Sequence, residues 1–174
     1  MASESAAPRP EFSSLIDSYG SELFAYLYRY TGGTMDAEDC LQETLLRAFR
    51  AYARTSPGSN FRAWLYAIAT NVARSHHRRQ VRSLGHERPL EPDMPSKGAG
   101  PAQVTEQRLV MDAVRKAVAG LPDKQRAALI LRKYQGLGYA EIGQLIACSP
   151  ESARANVYQA LRSLRLVLKD GEAV

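Results

Sequence analysis

The chain has 174 residues, of which 45% are hydrophobic and 24% charged, and a formal net charge of +5. That length suits one medium domain or two small ones, and no apolar run approaches the ~20 residues that cross a bilayer, which excludes a helical membrane span. Charge is unevenly placed: residues 1–60 carry −3, residues 61–90 carry +5 and residues 91–174 carry +3, so an acidic segment adjoins a basic one and two kinds of partner surface are expected.

Residues 1–10, MASESAAPRP, have neither the basic start nor the apolar core of a secretory signal. They read as a disordered leader on a cytoplasmic protein. Phe12, Leu15, Ile16, Tyr19, Leu23, Tyr26, Leu27 and Tyr30 then recur at helical spacing until Gly32-Gly33 stops the run. Asp36 is expected to cap a second helix. Its apolar stripe is Ala37, Cys40, Leu41, Leu45, Ala48, Phe49 and Tyr52, and its polar face holds Glu38, Asp39, Gln42, Glu43 and Arg47. The turn formers of Arg54–Asn60 make a loop, with Ser59 or Asn60 capping a third helix that starts at Phe61. In that helix Phe61, Trp64, Leu65, Ile68, Ala69 and Val72 should pack inward. Arg62, Tyr66, Asn71, Arg74, Ser75, Arg78 and Arg79 should lie on or near the opposite side.

Between Val81 and Gln103 periodicity disappears, and four prolines and three glycines interrupt the chain, so residues 81–103 read as a flexible linker. Beyond it Leu109, Val110, Ala113, Val114, Ala117 and Val118 form one helical stripe, and Ala127–Tyr134 a second. Tyr139–Ile146 is a short third helix. Ser149-Pro150 is a strong helix start, a serine N-cap followed by a proline where no backbone donor is missed, and the last helix runs to about Lys169. No strand-like alternation occurs. The expected fold is all-α, with two small helical domains at residues 11–80 and 104–174.

Three constellations bear on function. Asp39, Gln42 and Glu43 share one outward face at i, i+3, i+4 spacing. The third helix sets Arg74, Arg78, Arg79 and Arg82 beside the amide of Asn71, a combination that can track phosphates and hydrogen-bond an unstacked base. The pair Tyr139–Ile146 and Pro150–Lys169 has the form of a helix-turn-helix, whose second helix presents its early residues to base edges in the major groove. His76 and His77 point in different directions with no ligand at i+3 or i+4, so no metal site is expected there and both are assigned to the phosphate-facing surface. Cys40 and Cys148 lack CxxC spacing and are expected to be buried free thiols.

The segments DAEDCLQETLLRAF (Asp36–Phe49), FRAWLYAIATNVARSHHRR (Phe61–Arg79) and LPDKQRAALILRKYQGLGYAEI (Leu121–Ile142), in that order, resemble the small two-domain sigma factors of bacterial RNA polymerase, the extracytoplasmic-function group. The resemblance implies that Asp39, Gln42 and Glu43, flanked by Leu46 and Arg47, bind the clamp helices of the polymerase's largest subunit. It implies that Ser59, Asn60, Arg62, Tyr66, Asn71, Arg74, Arg78 and Arg79 capture and melt the minus-ten element. For the minus-thirty-five duplex it implies Ser152, Arg154, Ala155, Asn156, Tyr158 and Gln159. Asn156 and Gln159 stand where basic residues are frequent in the family; they can recognise adenine, and Tyr158 can touch a thymine methyl. An anti-sigma partner is further implied, with the chain a monomer when free or paired one to one with it, and neither cofactor nor membrane insertion is expected.

Paired carboxylates, a nucleophile with its base, or metal-ligand spacing would be needed for an enzyme, and none is present in convincing form. The alternative is an autonomous helix-turn-helix regulator with an N-terminal sensing domain. It leaves the acidic face and the basic third helix without a task, and it calls for a dimer seam that the sequence does not offer.

Overall fold

A computed structural model of the chain describes residues 9–56, 58–83 and 101–171, in seven α-helices with no strand among them. The leader, apart from Arg9 and Pro10, and linker positions 84–100 lie outside the described residues.

The first three helices are α1 (Phe12–Thr31), α2 (Thr34–Tyr52) and α3 (Phe61–Ser83). Helix α1 ends where Gly32 takes the left-handed conformation, φ 81°, and donates its N–H to the Tyr28 carbonyl. A residue with a Cβ would be strained there. Helix α2 begins at Thr34 behind Gly33, so Asp36 is not its cap. The Asp36 carboxylate instead accepts a hydrogen bond from Gln80 Nε2 of α3 at 2.8 Å, tying the start of α2 to the end of α3. At α3 the expected cap is present: Asn60 Oδ1 accepts the Ala63 N–H at 3.0 Å. The helix runs on to Ser83, past the end of the domain read from the sequence, because nothing in Gln80–Ser83 breaks it.

The second half contains α4 (Pro101–Ala119), α5 (Asp123–Tyr134), α6 (Tyr139–Ile146) and α7 (Pro150–Gly171). Pro122 starts α5, and Asp123 in its first turn with Arg132 and Lys133 in its last complement the helix dipole. Gly138 has no side chain with which to cap α6, but its N–H donates to the Glu141 carboxylate at 2.8 Å, one half of a capping box. Ser149 Oγ accepts the Ser152 N–H at 3.2 Å, the N-cap expected for α7.

Packing is continuous across the two halves. Leu23, Leu27, Leu65, Ala69 and Val72 share one apolar core with Ile130, Leu131, Ile142 and Ile146, each fully buried aliphatic side chain contributing about 1.5–3 kcal/mol. Helices α5 and α6 rest on α1 and α3, whereas α7 packs on α4, α5 and α6. Within this core Tyr26 Oη and Thr70 Oγ1 satisfy each other at 3.0 Å, linking α1 to α3. Apolar side chains also reach the surface: Phe49 is exposed, though it meets the Phe12 ring edge-on at 5.4 Å, and Leu109, Val110 and Met111 are exposed in the middle of α4. Cys40 is buried, and burial followed by the Asp36 and Asp39 charges pushes its thiol up to about 12, so it stays protonated. Cys148 is only half-buried.

Candidate protein and nucleic-acid interfaces

On α2 the inward residues Ala37, Cys40, Thr44 and Ala48 are buried, so helical geometry turns the positions between them outward. Asp39, Gln42, Leu46 and Arg47 are exposed and Glu43 is half-buried. Arg47 Nε lies 2.6 Å from Glu43 Oε1 in an i, i+4 ion pair, which leaves Asp39 and Gln42 as the open polar groups and Leu46 as an apolar contact beside them. An acidic and amide surface with one exposed aliphatic side chain suits a basic or mixed protein face, and repels DNA.

The side chains read as one basic face on α3 divide into two. Asn71, Arg78, Arg79 and Arg82 are exposed. Arg62, Tyr66, Arg74 and His77 share another side, spaced by four, eight and three residues, and turn toward α1 and the second half of the molecule. Arg62 is held by Glu22 at 2.9 and 3.3 Å and reaches Gln135 at 3.4 Å. Tyr66, expected at the DNA surface, is 1% exposed. Its ring packs edge-on against Tyr26, and burial raises its phenol well above the usual range. The ring is too large and too apolar to remain in solvent when α1 lies alongside. His76 and His77 are corrected too. His76 Nε2 stands 3.4 Å from Asp36, and His77 Nε2 stands 3.5 Å from Asp123. Both turn to carboxylates within the fold, not to phosphate. Asn60 is exposed and Ser59 half-buried in the loop that enters α3, while Trp64 is half-buried against Tyr52 and Phe61 as a packing residue.

In α7, Ala153, Val157 and Ala160 are buried, and the faces between them are open: Ser152, Arg154, Ala155, Tyr158 and Gln159 are exposed. Asn156 is half-buried and donates to the Ser152 carbonyl at 2.8 Å; Gln159 accepts from Gln125 at 3.0 Å. These bonds orient the two amides that could recognise a base. The turn before α7 is tight, because Gly143 lets the Cys148 backbone approach closely: a Cβ there would meet the Cys148 carbonyl oxygen at 2.6 Å.

One central residue escaped the sequence reading. Arg126 is 2% exposed. Its guanidinium donates to the Tyr30 carbonyl at the end of α1 (3.2 Å), to the Leu121 carbonyl (3.2 Å) and to the Ala119 carbonyl at the end of α4. It also faces His77 Nδ1 at 3.2 Å. The available signal was a lone arginine opening the otherwise apolar run Arg126–Leu131.

Residues 15–83 match Sigma-70 region 2, and residues 111–164 match Sigma-70, region 4. The RNA polymerase sigma factor CarQ of Myxococcus xanthus is 30% identical over 92% of this chain and 91% of its own. The ECF RNA polymerase sigma factors SigE of Mycolicibacterium smegmatis and SigG of Mycobacterium tuberculosis are 30% and 34% identical over 91% of this chain, which spans only 62% and 49% of their lengths. RpoE of Bartonella quintana, solved with the anti-sigma factor NepR, shares the fold with a TM-score of 0.74 and 24% identity over 91% of this chain and 96% of that one. CnrH, solved with the cytosolic domain of CnrY, does so with a TM-score of 0.67 and 21% identity over 91% and 88%. Two sigma-70 regions in one all-α chain define the class, a sigma-70-type protein. More narrowly, the chain belongs to the ECF RNA polymerase sigma factors.

Proposed function

We propose that this chain binds core RNA polymerase through Asp39, Gln42, Glu43, Leu46 and Arg47 of α2 and directs promoter-specific initiation. The exposed Asn71, Arg78, Arg79 and the Ser59–Asn60 loop then hold the melted minus-ten strand, with Arg62 and Arg74 joining them once the second half moves away. Helix α7 reads the minus-thirty-five duplex through Ser152, Arg154, Ala155, Asn156, Tyr158 and Gln159. The polymerase supplies the chemistry. The observation that carries this reading is the open face of α7: a capped helix whose early residues are exposed while Ala153, Val157 and Ala160 anchor it from behind. Control by an anti-sigma protein, which the chain would bind one to one, is part of the same proposal; its support is the likeness to RpoE, solved in complex with the anti-sigma factor NepR. Among the described residues no helix is long and apolar enough to cross a membrane.

The test is reconstitution: the purified chain with core polymerase should yield a discrete transcript from a promoter it selects. The Asp39→Ala, Gln42→Ala double variant should weaken core binding by about ten- to a hundredfold, as for loss of one or two interface anchors. Unchanged binding would remove the α2 assignment.

A further inference from the structure

We infer that Arg9, just ahead of α1, is a positioning residue for the α2–α3 loop: its guanidinium holds the loop in the shape with which Ser59 and Asn60 capture the minus-ten strand. This rests on the reading of that loop as a binder of the strand.

The loop has to offer Ser59 and Asn60 in one place, yet a polar connection containing Gly58 has many shapes open to it. Its exit is fixed locally. Asn60 Oδ1 is committed to the Ala63 N–H as the cap of α3, so the amide NH2 is what remains for a base. At the entry, the Arg54 and Thr55 N–H groups donate back to the Ala51 and Tyr52 carbonyls, each at 3.0 Å, and further on the Ser59 N–H donates to the Ser56 carbonyl at 3.1 Å. The Ala53 and Thr55 carbonyls are taken from outside the loop, by Arg9. Its Nη1 donates to Ala53 at 3.2 Å and its Nη2 to Thr55. One rigid planar group on two carbonyls two residues apart fixes both peptide planes at the point where α2 gives way to the loop. The cation also stands at the negative end of the α2 dipole.

Arg9 and Pro10, read from the sequence as part of a disordered leader, are seated on the fold. The Arg9 guanidinium lies over the Tyr52 ring, 5.4 Å from its centroid. Tyr52 Oη donates to the Pro10 carbonyl, and Phe12, which opens α1, packs on Tyr52 at 5.3 Å. The same ring meets Phe61 at 5.8 Å and Trp64 at 6.3 Å, in the first turn of α3. Tyr52 therefore joins Arg9, the end of α2 and the start of α3 in one frame, and the loop is held between points of that frame. Arg9 itself is exposed, so water can replace it on both carbonyls. Its removal should loosen the loop and leave the folded core intact, which separates a positioning role from a structural one.

Arg9→Ala and Arg9→Lys test this. Amide hydrogen exchange of the free full chain is the first measurement. In Arg9→Ala the Arg54, Thr55 and Ser59 amides should exchange about tenfold faster, with amides inside α2 and α3 unchanged and Tm within about 2 °C of wild type, as for an exposed side chain. The second measurement is permanganate reactivity of the minus-ten strand in holoenzyme assembled from core polymerase and the full chain. It should fall about tenfold in Arg9→Ala at unchanged core binding, since apparent affinity scales with the fraction of loops in the competent shape. Arg9→Lys keeps the charge without the fork and should lose as much. A direct contact from Arg9 to phosphate gives the opposite pattern: lysine restores opening, and alanine lowers the salt slope of DNA binding by about one with loop exchange unmoved. That pattern, or unchanged exchange of the three amides in Arg9→Ala, overturns the inference. Faster exchange with undiminished strand opening upholds the grip of Arg9 on the loop and overturns the minus-ten reading of Ser59 and Asn60 instead.

Discussion

Gly143→Ala is the sharpest test of how the reading helix is positioned. Gly143 lies within α6, where alanine is favoured over glycine by about 1 kcal/mol, so propensity alone predicts a stabler protein. The structure predicts the reverse. An alanine Cβ would stand 2.6 Å from the Cys148 carbonyl oxygen, 3.3 Å from Ser149 C and 3.4 Å from Pro150 N. These are backbone atoms of the turn, so no side chain can rotate away. The turn must open, stretching the 2.9 Å bond from the Cys148 N–H to the Gly143 carbonyl and disturbing the Ser149 cap of α7. Overpacking of this kind costs about 1–3 kcal/mol and a lost cap about 1 kcal/mol. Set against the propensity gain, the net loss is about 1–3 kcal/mol, or a fall in Tm of about 2–12 °C for a chain of this size. Thermal unfolding followed by circular dichroism reads it. Gly58→Ala is the control, since nothing lies within 4 Å of a Cβ there, and its Tm should stay within about 1 °C of wild type. A Gly143→Ala protein as stable as Gly58→Ala would refute the close-approach reasoning.

Ala147 holds φ 53° in the same turn, a left-handed conformation that costs an L-residue about 1 kcal/mol, so Ala147→Gly should raise Tm by about 2–4 °C; a fall would show that the strain is not there. Asn71→Ala should impair strand opening, read by permanganate reactivity at the minus-ten element, about tenfold more than duplex binding read by gel shift, as for loss of a base contact; equal losses in both would argue against base capture. The docked state should weaken in acid. Burial lowers the His77 pKa from its ordinary 6.5, helped by Arg126 and His76, while Asp123 opposes. The open state therefore binds the proton more readily, and docking is fully stable only above pH ~6.5, losing strength as pH falls toward the depressed docked-state value. Scattering at pH 7.5 and 5.5 should show expansion at the lower pH in wild type and less of it in His77→Gln.

Much of the fold was legible because the signals are local. Gly32-Gly33 separates two helices, and Ser149-Pro150 starts α7 where read, since a cap and a proline at the first turn satisfy the backbone without help from elsewhere. Residues whose exposure is decided by their own helix were equally readable. Ala153, Val157 and Ala160 alternate with Arg154, Ala155 and Tyr158 in one amphipathic pattern, and Asp39 and Gln42 fall between the buried positions Ala37, Cys40 and Thr44.

Failure came where one helix meets two partners. A two-faced reading of α3 has only an inside and an outside, and it sends every polar residue to solvent. The helix has three sides, because α5 and α6 cover a flank that α1 and α2 do not. His76 and His77, one residue apart and so turned by about 100°, meet acids on different helices, Asp36 40 residues before and Asp123 46 residues after. No periodicity within α3 reveals such pairs. What does mark them is chemistry at odds with position: an arginine opening an apolar run, a tyrosine among basic residues, adjacent histidines without a metal. Arg126 lies where two helix C-termini, one from each half, present carbonyls that need a donor. The cation there keeps the Ala119 and Leu121 carbonyls of its own half and gains the Tyr30 carbonyl only from the other. A residue of that kind serves its own half and the contact between the halves at once, and this is why helix-by-helix reading recovered the helices and missed the seam.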